Sequence, residues 1–600
     1  MNYTATEENM EHCCNQKFIK QEDSIRKGGL RTMPFIIVNE SFEQLVSIGI
    51  QPNMILYFTK VYHMEGAKGA SLLSLWSFLS AFLSIPGAFI SDSYLGRFRV
   101  IALGSIISFG GMTLLWLTAM IPQAKPAPCN LPHTHCDNPT FAQLILLGSS
   151  LVLISIGAGC IRPCAVAFGV DQLVKTDNPE KNERVLQKYF NWYYASIGLS
   201  SIIGLTLVVY IQDHFGLKMG FGIPVVLLLS SAFFFLVGCP LYVKVKIHKS
   251  LFTELTQVIV AAFRNRNLAF PADKLNRVYY HIDDSNFVKP SDKLRFLNKA
   301  CIIRNPEEDF DSDGSAVKPW ELCSVDQVEG LKALIRVIPI WSTGIMIFTT
   351  LCQSSITVLQ ANSMDRYITS NFQIPAGSFG LFTAIAATLG TAFYGQVVIP
   401  LVAKYSQQPH GARPTLRMGI GLLISCLAMA LGAIVESIRR KSAFEEVLRD
   451  EPKSVGNMSA MWLIPQFSLT GLAEGIHSVA QLEFYFSQLP KTMSTLGMAL
   501  FTLGTAFAGL LGSLIFTIVN NVTKSGGISW LSTDLNKGQY DYYYGLLTFL
   551  SLLNFVYFLV CCRAYGPCEE TRARVPNERE DLKEGLLSKT NDQFPSSSLT

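Results

Sequence analysis

Twelve apolar segments, each long enough to cross a bilayer, dominate this sequence of 600 residues. A membrane-spanning helix needs about 20 predominantly apolar residues. Apolar residues make up 49% of the chain and charged residues only 16%, and the mean hydropathy is +0.29. Ordinary soluble domains carry about a quarter charged residues. The pattern predicts an all-α membrane protein with spans at 33–58, 69–91, 100–121, 140–168, 189–211, 220–243, 334–358, 377–402, 415–436, 459–487, 495–520 and 541–562.

The positions of the basic residues predict which side of the membrane each loop occupies. Residues 1–32 carry five basic residues just before the first span, and residues 244–332 hold 14 Lys and Arg. Basic residues beside spans favour the cytosolic side. We therefore expect a cytosolic N-terminal segment, linker (244–332) and tail (563–600), in a multi-pass protein of the plasma membrane. Arg439–Lys441 does not fit, because the count of spans places it outside, among acidic residues.

Two groups of six spans, at 33–243 and 333–562, flank the linker. This order is that of the major facilitator fold, with two six-helix halves and a substrate site at the midplane between them. The periodicity does not exclude another kind of twelve-span transporter, and it does not exclude a channel. Within the linker, Leu251–Phe263 has apolar residues at helical spacing and ends beside Arg264 and Arg266. It predicts an amphipathic helix lying either on the membrane surface or against the bundle.

Glu40 and Glu43 lie three residues apart within the first span, on one face of the helix. An ionisable residue at bilayer depth costs at least a few kcal/mol, so it usually faces a protein interior or a water-filled path and functions there. These two carboxylates are the first site hypothesis. The alternative is a buried helix of a soluble protein with one solvated edge.

Several partners are not expected. The formal charge of +4 is small for a chain of this length and implies no nucleic-acid partner. The sequence has no Gly-rich phosphate loop of the Walker type, which argues against direct coupling to ATP. We expect no cofactor, no resident metal and no enzymatic activity, and the partners are the lipid bilayer, a small solute and protons.

Five segments identify a family resemblance. Gly87–Arg97 (GAFISDSYLGR) closes the second span, with Asp92 and Arg97 placed to bridge helix ends and Gly96 supplying a tight bend. It resembles the turn between the second and third helices of major facilitators, and more closely a signature of the proton-dependent oligopeptide transporter (POT) family. Further matches to that family, and to its plant nitrate and peptide transporter branch, are Phe190–Tyr194, Lys332–Trp341, Gln481–Phe484 and Gly28–Ile36.

The resemblance implies roles for residues in the first half. The family's first-helix motif, Glu-x-x-Glu followed by Arg or Lys, is linked to proton coupling, and here Gln44 replaces the cation after Glu40 and Glu43. Without that cation, desolvation and mutual repulsion favour the protonated form of one carboxyl group. Arg162 matches the basic residue of the fourth span. It can pair with one carboxylate, hold a substrate anion or form a static ion pair, but it cannot release a proton.

In the second half, Glu474 matches the family's tenth-helix Glu, which is thought to line the cavity and to serve proton coupling and substrate binding. His477 lies on the same face, and a lone His in an apolar helix is more often satisfied locally. Glu483, near the cytosolic end, is predicted to be a gate or packing ion pair. Thr350 stands near the position of the His that the resemblance associates with nitrate binding. We include it in the predicted substrate site, with the span aromatics Tyr57, Tyr194 and Trp341.

Cys129 and Cys136 bracket a loop that is predicted to lie outside the cell. A disulfide is the preferred interpretation in an oxidising compartment. Two His between them make zinc the alternative, although the ligands are closely spaced for a structural site.

Two functional hypotheses follow from these residues. The first is a secondary active transporter of a small anionic or zwitterionic solute (nitrate, a peptide, or a carboxylate metabolite or hormone) that works by alternating access and is coupled to protons. The second is a non-transporting nutrient or hormone sensor on a transporter scaffold, suggested by the altered first-helix motif.

Overall fold

The structure is a computed structural model, and it describes residues 28–127, 138–173, 185, 189, 192–193, 196–243, 251–268, 270, 279–281, 290–304, 309–311, 316–370, 372–394, 413–448, 458–489, 494–525, 529–532 and 535–565. Helices dominate these residues, which confirms the predicted all-α class. A short antiparallel hairpin, β1 (Tyr367–Thr369) with β2 (Phe372–Gln373), lies in one loop.

Among the described residues, six long helices precede the linker: α1 Met33–Lys60, α2 Gly66–Leu95, α3 Arg97–Met120, α4 Phe141–Leu173, α5 Ser196–His214 and α6 Gly216–Leu241. The linker contains the helix Leu251–Arg264 (the linker helix) and a 3-10 helix, Arg295–Cys301. Six helices follow: α7 Val325–Asn362, α8 Ala376–Phe393, α9 Pro414–Leu448, α10 Ile464–Gln488, α11 Ser494–Ser525 and α12 Tyr540–Tyr565.

Ten helices in the described part of the chain are long and apolar enough to cross a membrane. The two predicted spans outside this set are α1 and α10, which are long enough, with 28 and 25 residues. Their polar residues, which include Glu40 and Glu43 in α1 and Glu474 and Glu483 in α10, lower their mean hydropathy. The two long helices outside the set of ten are therefore the ones that carry the predicted proton-coupling carboxylates.

Local sequence explains several helix boundaries. Pro34 occupies the first turn of α1, where its missing N–H has no intrahelical partner to lose. At the start of α7 the Ser324 Oγ accepts a hydrogen bond from the Gln327 N–H (3.3 Å), and the Gln327 side chain accepts one from the Ser324 N–H (3.1 Å). This capping box satisfies two donors that the first helical turn leaves free.

α9 ends later than the sequence predicts, at Leu448 rather than near residue 436. Arg439, which the span count placed outside, lies within the helix and is 4% exposed. Its guanidinium contacts the Glu436 carboxylate at 2.7 and 2.8 Å, so the two charges compensate each other. The helix continues because the pair can be buried together.

One end of the helix bundle holds the linker and both ends of the described chain. The Gly28 N–H donates to the Leu241 carbonyl at the end of α6, and Arg336 near the start of α7 donates to the Tyr565 carbonyl at the end of α12. Both ends of the described chain and the linker therefore lie together. We call this the linker end, and the other the opposite end.

The most extensive contact between the two groups of helices joins α2 and α11. At Gly509 of α11, a Cβ atom would lie only 2.7 Å from the Phe78 backbone nitrogen of α2. A larger residue would push the two backbones apart, so this approach requires glycine.

The linker helix packs one apolar side against the protein, which is one of the two arrangements that the sequence predicts for it. Leu255, Val258 and Ala262 belong to a cluster with Cys301 of the 3-10 helix and Val328 of α7. Close by, the buried Lys332 contacts Glu329 at 2.7 Å and donates to the Ser291 carbonyl at 2.7 Å. The linker is thereby fixed to the start of α7.

Candidate functional site

A cavity of about 360 Å³ lies between the two groups of helices. The wall is formed by α1, α2 and α5 of the first group and by α7 to α10 and α12 of the second. Most of the polar side chains in this wall carry a hydroxyl or an amide group. Among the described residues that line it there is one carboxylate, Glu474, and no basic side chain. The cavity is large enough for a small polar solute and offers many hydrogen-bonding groups.

Glu474 of α10 contributes its carboxylate to the cavity wall. Within the described part of the chain, no ion pair or hydrogen bond satisfies this carboxylate. A carboxylate without a fixed partner is available to a proton or to a donor on a solute. The structure thus brings this predicted residue to the cavity, while its role stays a prediction.

Three further polar atoms in the cavity lining are buried without a partner among the described residues: Ser74 Oγ, Ser355 Oγ and Gln466 Oε1. Buried polar atoms in proteins nearly always have a hydrogen-bond partner, from the protein or from water. A solute or water in the cavity would supply the missing partners. Thr350, the predicted substrate contact on α7, also lines the cavity, and its hydroxyl lies 3.0 Å from the Ser425 hydroxyl.

Glu40 and Glu43 are buried in the first group of helices, apart from the residues that line this cavity. The Ser108 hydroxyl donates to Glu43 Oε2 at 2.9 Å. Tyr193 is a hydrogen-bonding neighbour of Glu40, whose Oε2 is buried without a partner among the described residues. The structure places both carboxylates inside the protein and away from lipid, as the sequence predicts for α1.

Arg162 of α4 forms no ion pair within 4.0 Å in the described structure, so the predicted direct pairing with Glu40 or Glu43 is absent from this conformation. Its Nη2 donates to the Ser47 hydroxyl of α1 at 2.6 Å, while its Nε is buried without a partner. Its charge still acts on both carboxylates through space. Arg162 thus stands beside the carboxylates and keeps one donor free.

Tyr57 and Trp341, two of the three predicted aromatic contacts, do not line this cavity. The Tyr57 hydroxyl bonds Thr118 at 2.8 Å, and its ring packs among Tyr62 and Phe221. Trp341 Nε1 donates to the Leu500 carbonyl at 2.7 Å. Tyr194 lies outside the described residues, as do Cys129 and Cys136, so the predicted disulfide stays a prediction.

His477 is buried on the side of α10 that packs against α9. Its Nδ1 lies 3.1 Å from the Met418 carbonyl, and its ring makes an edge contact with Phe348. Its Nε2 is buried without a partner among the described residues, so the protein satisfies only one of the two ring nitrogens.

The protein-family comparison decides the identity. The POT family model (PTR2) matches residues 98–531, which is most of the chain. The chain belongs to the POT family. It is 50% identical to Protein NRT1/ PTR FAMILY 1.2 of Arabidopsis thaliana over 95% of this chain and 96% of that protein. It is 51% identical to Protein NRT1/ PTR FAMILY 1.1 of the same plant, over 90% of this chain and 92% of that protein. The predicted family and its plant branch are therefore confirmed.

Solved structures of POT transporters share the fold at low sequence identity. An auto-inhibited POT family peptide transporter superposes with a TM-score of 0.65 at 20% identity and covers 89% of this chain and 97% of that one. A POT family transporter in complex with 5-aminolevulinic acid gives 0.57 at 15% identity, covering 90% and 98%. The POT family consists of transporters, so this POT protein is a membrane transporter rather than an enzyme.

The signature turn of this POT protein has the geometry that the sequence predicts. Gly96 adopts a φ of 81°, a conformation that L side chains rarely take. Arg97 bridges helix ends, with its Nε 3.2 Å from Asp92 and its Nη1 2.6 Å from Asp171. The motif gave no sign of Asp171, which lies on α4, 74 positions along the chain.

The ion pair predicted for Glu483 forms with Arg417 of α9, whose guanidinium also lies 5.2 Å from the Tyr394 ring centre. Sequence reasoning missed Gln353, Gln466 and Tyr544 in the cavity wall of this POT protein. Polar residues inside apolar segments were the available signal for the two glutamines. Tyr544 had no such signal, because span aromatics usually serve helix packing or the membrane interface.

Proposed function

We propose that this POT transporter carries a small anionic or zwitterionic solute across the plasma membrane together with protons, by alternating access. The solute is nitrate, a peptide, or a carboxylate metabolite or hormone. The observation that carries the proposal is the unpaired Glu474 carboxylate in the wall of the cavity between the two groups of helices. A buried carboxylate can exist neutral or charged, and that property allows it to carry a proton.

Residues 33–243 and 333–562 act as the two moving halves in this proposal, with a cytosolic linker end. The polar contacts between them lie toward the opposite end: Lys60 with Asn362 (3.2 Å), Glu65 with Lys524 (2.9 Å), Asp213 with Arg366 (3.7 Å) and Ser71 with Ser513 (2.8 Å). These contacts support a carrier closed toward the opposite side, and transport by alternating access requires them to break.

Glu40 and Glu43 are the proposed proton sites of the first half, and Arg162 is the proposed group that holds the negative charge of the solute. Arg162 Nε and Glu40 Oε2 are both buried without a partner among the described residues. A guanidinium binds planar anions such as carboxylate well, and it stays charged throughout the cycle. Solved POT relatives have been captured with alafosfalin and with 5-aminolevulinic acid, which supports a small solute.

Uptake into liposomes that contain the purified protein, under an imposed pH gradient, tests this function. Radiolabelled nitrate, dipeptides and carboxylate plant hormones form the solute panel. Proton-driven accumulation of one of them supports the transporter. Saturable binding of a solute without accumulation would instead support the sensor, for which the altered motif at Gln44 is the specific observation.

We expect a cation at position 44 to steepen the dependence of uptake on external pH. Gln44 is half-buried, one residue along α1 from Glu43. A positive side chain there stabilises the charged form of the carboxylates, so fewer of them hold a proton at neutral pH. Uptake by Gln44→Arg and Gln44→Lys, measured from about pH 5 to 8, should change more with pH than wild-type uptake, since one pH unit changes proton occupancy up to tenfold.

Gln44→Met, which is similar in length and uncharged, is the matched control and should keep the wild-type profile. Superimposable profiles for all four proteins would contradict a coupling role for position 44. The proton role of Glu40 and Glu43 would then have to be withdrawn.

A reversible link across the halves should stop transport. The Ser71 and Ser513 hydroxyls of α2 and α11 lie 2.8 Å apart, so cysteines at these positions are close enough for a short bifunctional thiol reagent. We expect the reagent to reduce uptake by Ser71→Cys/Ser513→Cys to the level of empty liposomes, and cleavage of a reducible linker to restore it. The two single-cysteine variants, treated alike, control for reaction at native cysteines. Full uptake by the linked protein would contradict alternating access through this interface.

A further inference from the structure

One surface of the linker carries exposed apolar and basic side chains that the transport site does not use. The linker helix buries Leu255 and Val258 against the rest of the linker and α7, and its other side is uncovered. On that side Ile259 and Phe263, one turn apart, are 54% and 67% exposed. A helix that packs one side against the protein and exposes a second apolar stripe can bury that stripe in another apolar phase.

Basic side chains continue this surface. The Arg266 guanidinium lies 4.6 Å from the Phe263 ring centre, and Lys299 Nζ donates to the Arg266 carbonyl. Lys299 Nζ and the Arg295 guanidinium lie 5.1 and 4.5 Å from the Phe270 ring centre. These contacts connect Phe263, Arg266, Phe270, Arg295 and Lys299 into one continuous patch, which we call the linker basic surface.

The charge of this patch is not compensated within the described structure. The nearby Glu321 carboxylate lies 3.7 Å from Arg264 and 3.9 Å from Arg304, two basic residues outside the patch. No described carboxylate forms an ion pair with Arg266, Arg295 or Lys299. In the sequence, three more cations follow α6, at Lys244, Lys246 and Lys249. Positive charge is therefore concentrated directly after a membrane span.

We propose that the linker basic surface docks on anionic lipid headgroups of the bilayer. Clusters of Lys and Arg beside a span, or on an amphipathic helix, attract anionic lipids, and aromatic rings favour the headgroup level. α6 ends at Leu241 and the linker helix begins at Leu251, and ten residues reach at most about 35 Å, so the helix remains close to the membrane. Docking there holds the linker, and the start of α7 on which it packs, at the bilayer surface.

The experiment compares the full chain in nanodiscs of phosphatidylcholine alone and of phosphatidylcholine mixed with phosphatidylserine, by backbone hydrogen exchange. We expect the amides of residues 255–266 to exchange more slowly when phosphatidylserine is present, and high salt to remove the difference. Arg266→Gln/Arg295→Gln should abolish the protection, because each cation contributes roughly fivefold to binding an anionic surface. Lys299 is left intact because it also supports the linker backbone.

Lys218→Gln/Lys441→Gln is the matched control, since it removes the same charge from exposed positions toward the opposite end and should leave the protection unchanged. Equal exchange in both lipids, or protection that survives in Arg266→Gln/Arg295→Gln, would overturn the proposal. Protection by a soluble poly-glutamate peptide in phosphatidylcholine alone, as strong as that by phosphatidylserine, would also overturn it in favour of an acidic protein partner.

Discussion

Glu474→Gln should reduce pH-driven uptake to the level of empty liposomes while the protein stays folded. Glutamine has nearly the same shape and keeps hydrogen-bonding capacity, but it can neither carry a proton nor become charged. The carboxylate has no ion pair in the described structure, so its loss leaves no buried cation behind. The measurements are uptake under an imposed pH gradient and the elution profile of the purified variant on size-exclusion chromatography.

A second measurement separates a proton role of Glu474 from a solute role. Exchange of labelled for unlabelled solute, without a pH gradient, requires no net movement of protons. If Glu474 only carries a proton, Glu474→Gln should retain exchange, and if it binds the solute, exchange should fall as well. Glu474→Asp keeps a carboxylate in the wall and should retain part of both activities. Wild-type uptake in Glu474→Gln would remove Glu474 from the proposed site.

Arg439→Met should lower the free energy of unfolding by about 3–5 kcal/mol, because it leaves a buried carboxylate without its counter-charge. Glu436 is fully buried, and its carboxylate accepts from Arg439 and, at 2.7 Å, from Gln360 Nε2. Arg439 Nη1 also donates to Asn536 Oδ1 at 3.0 Å. The network ties α7, α9 and the segment before α12 together. Unfolding of the purified protein in mixed micelles with increasing dodecyl sulfate measures the effect.

Arg440→Met is the matched control one residue along α9. Arg440 pairs with Asp541 at 3.2 Å, but both side chains keep part of their solvent exposure, so the expected loss is about 0–1 kcal/mol. The double variant Glu436→Gln/Arg439→Met removes both buried charges and should lose less stability than Arg439→Met alone. Equal losses of unfolding free energy for Arg439→Met and Arg440→Met would contradict a stabilising role of the buried Glu436–Arg439 pair.

The Glu436–Arg439 network also touches the cavity. The Tyr544 hydroxyl, on a residue of the cavity wall, donates to Gln360 Oε1 at 3.3 Å and lies 3.2 Å from the Thr357 hydroxyl. Gln360 in turn binds Glu436. Stability toward the opposite end and the shape of one cavity wall therefore depend on the same set of hydrogen bonds.

The structure places some of the predicted site residues at the cavity and others away from it, and their roles stay predictions. Glu474 and Thr350 were placed at the cavity from their motif positions, and both line it. Tyr57 and Trp341 were chosen as span aromatics, but they pack and form hydrogen bonds elsewhere. An apolar helix surrounded by other helices has no polar face that reveals its rotation, so the sequence alone does not show which of its aromatic residues point inward.

The sequence by itself determined the all-α membrane class of the protein and the buried position of Glu40 and Glu43. These properties depend on local hydropathy and on the cost of a charge at bilayer depth, which neighbouring residues in the chain already reveal. Only the tertiary structure decided which groups meet. Arg439 binds Asn536 across 97 positions, Ser71 lies beside Ser513 across 442, and Arg162 binds Ser47 instead of a carboxylate. Such contacts depend on helix rotation and packing distance, which the sequence of a single segment does not encode.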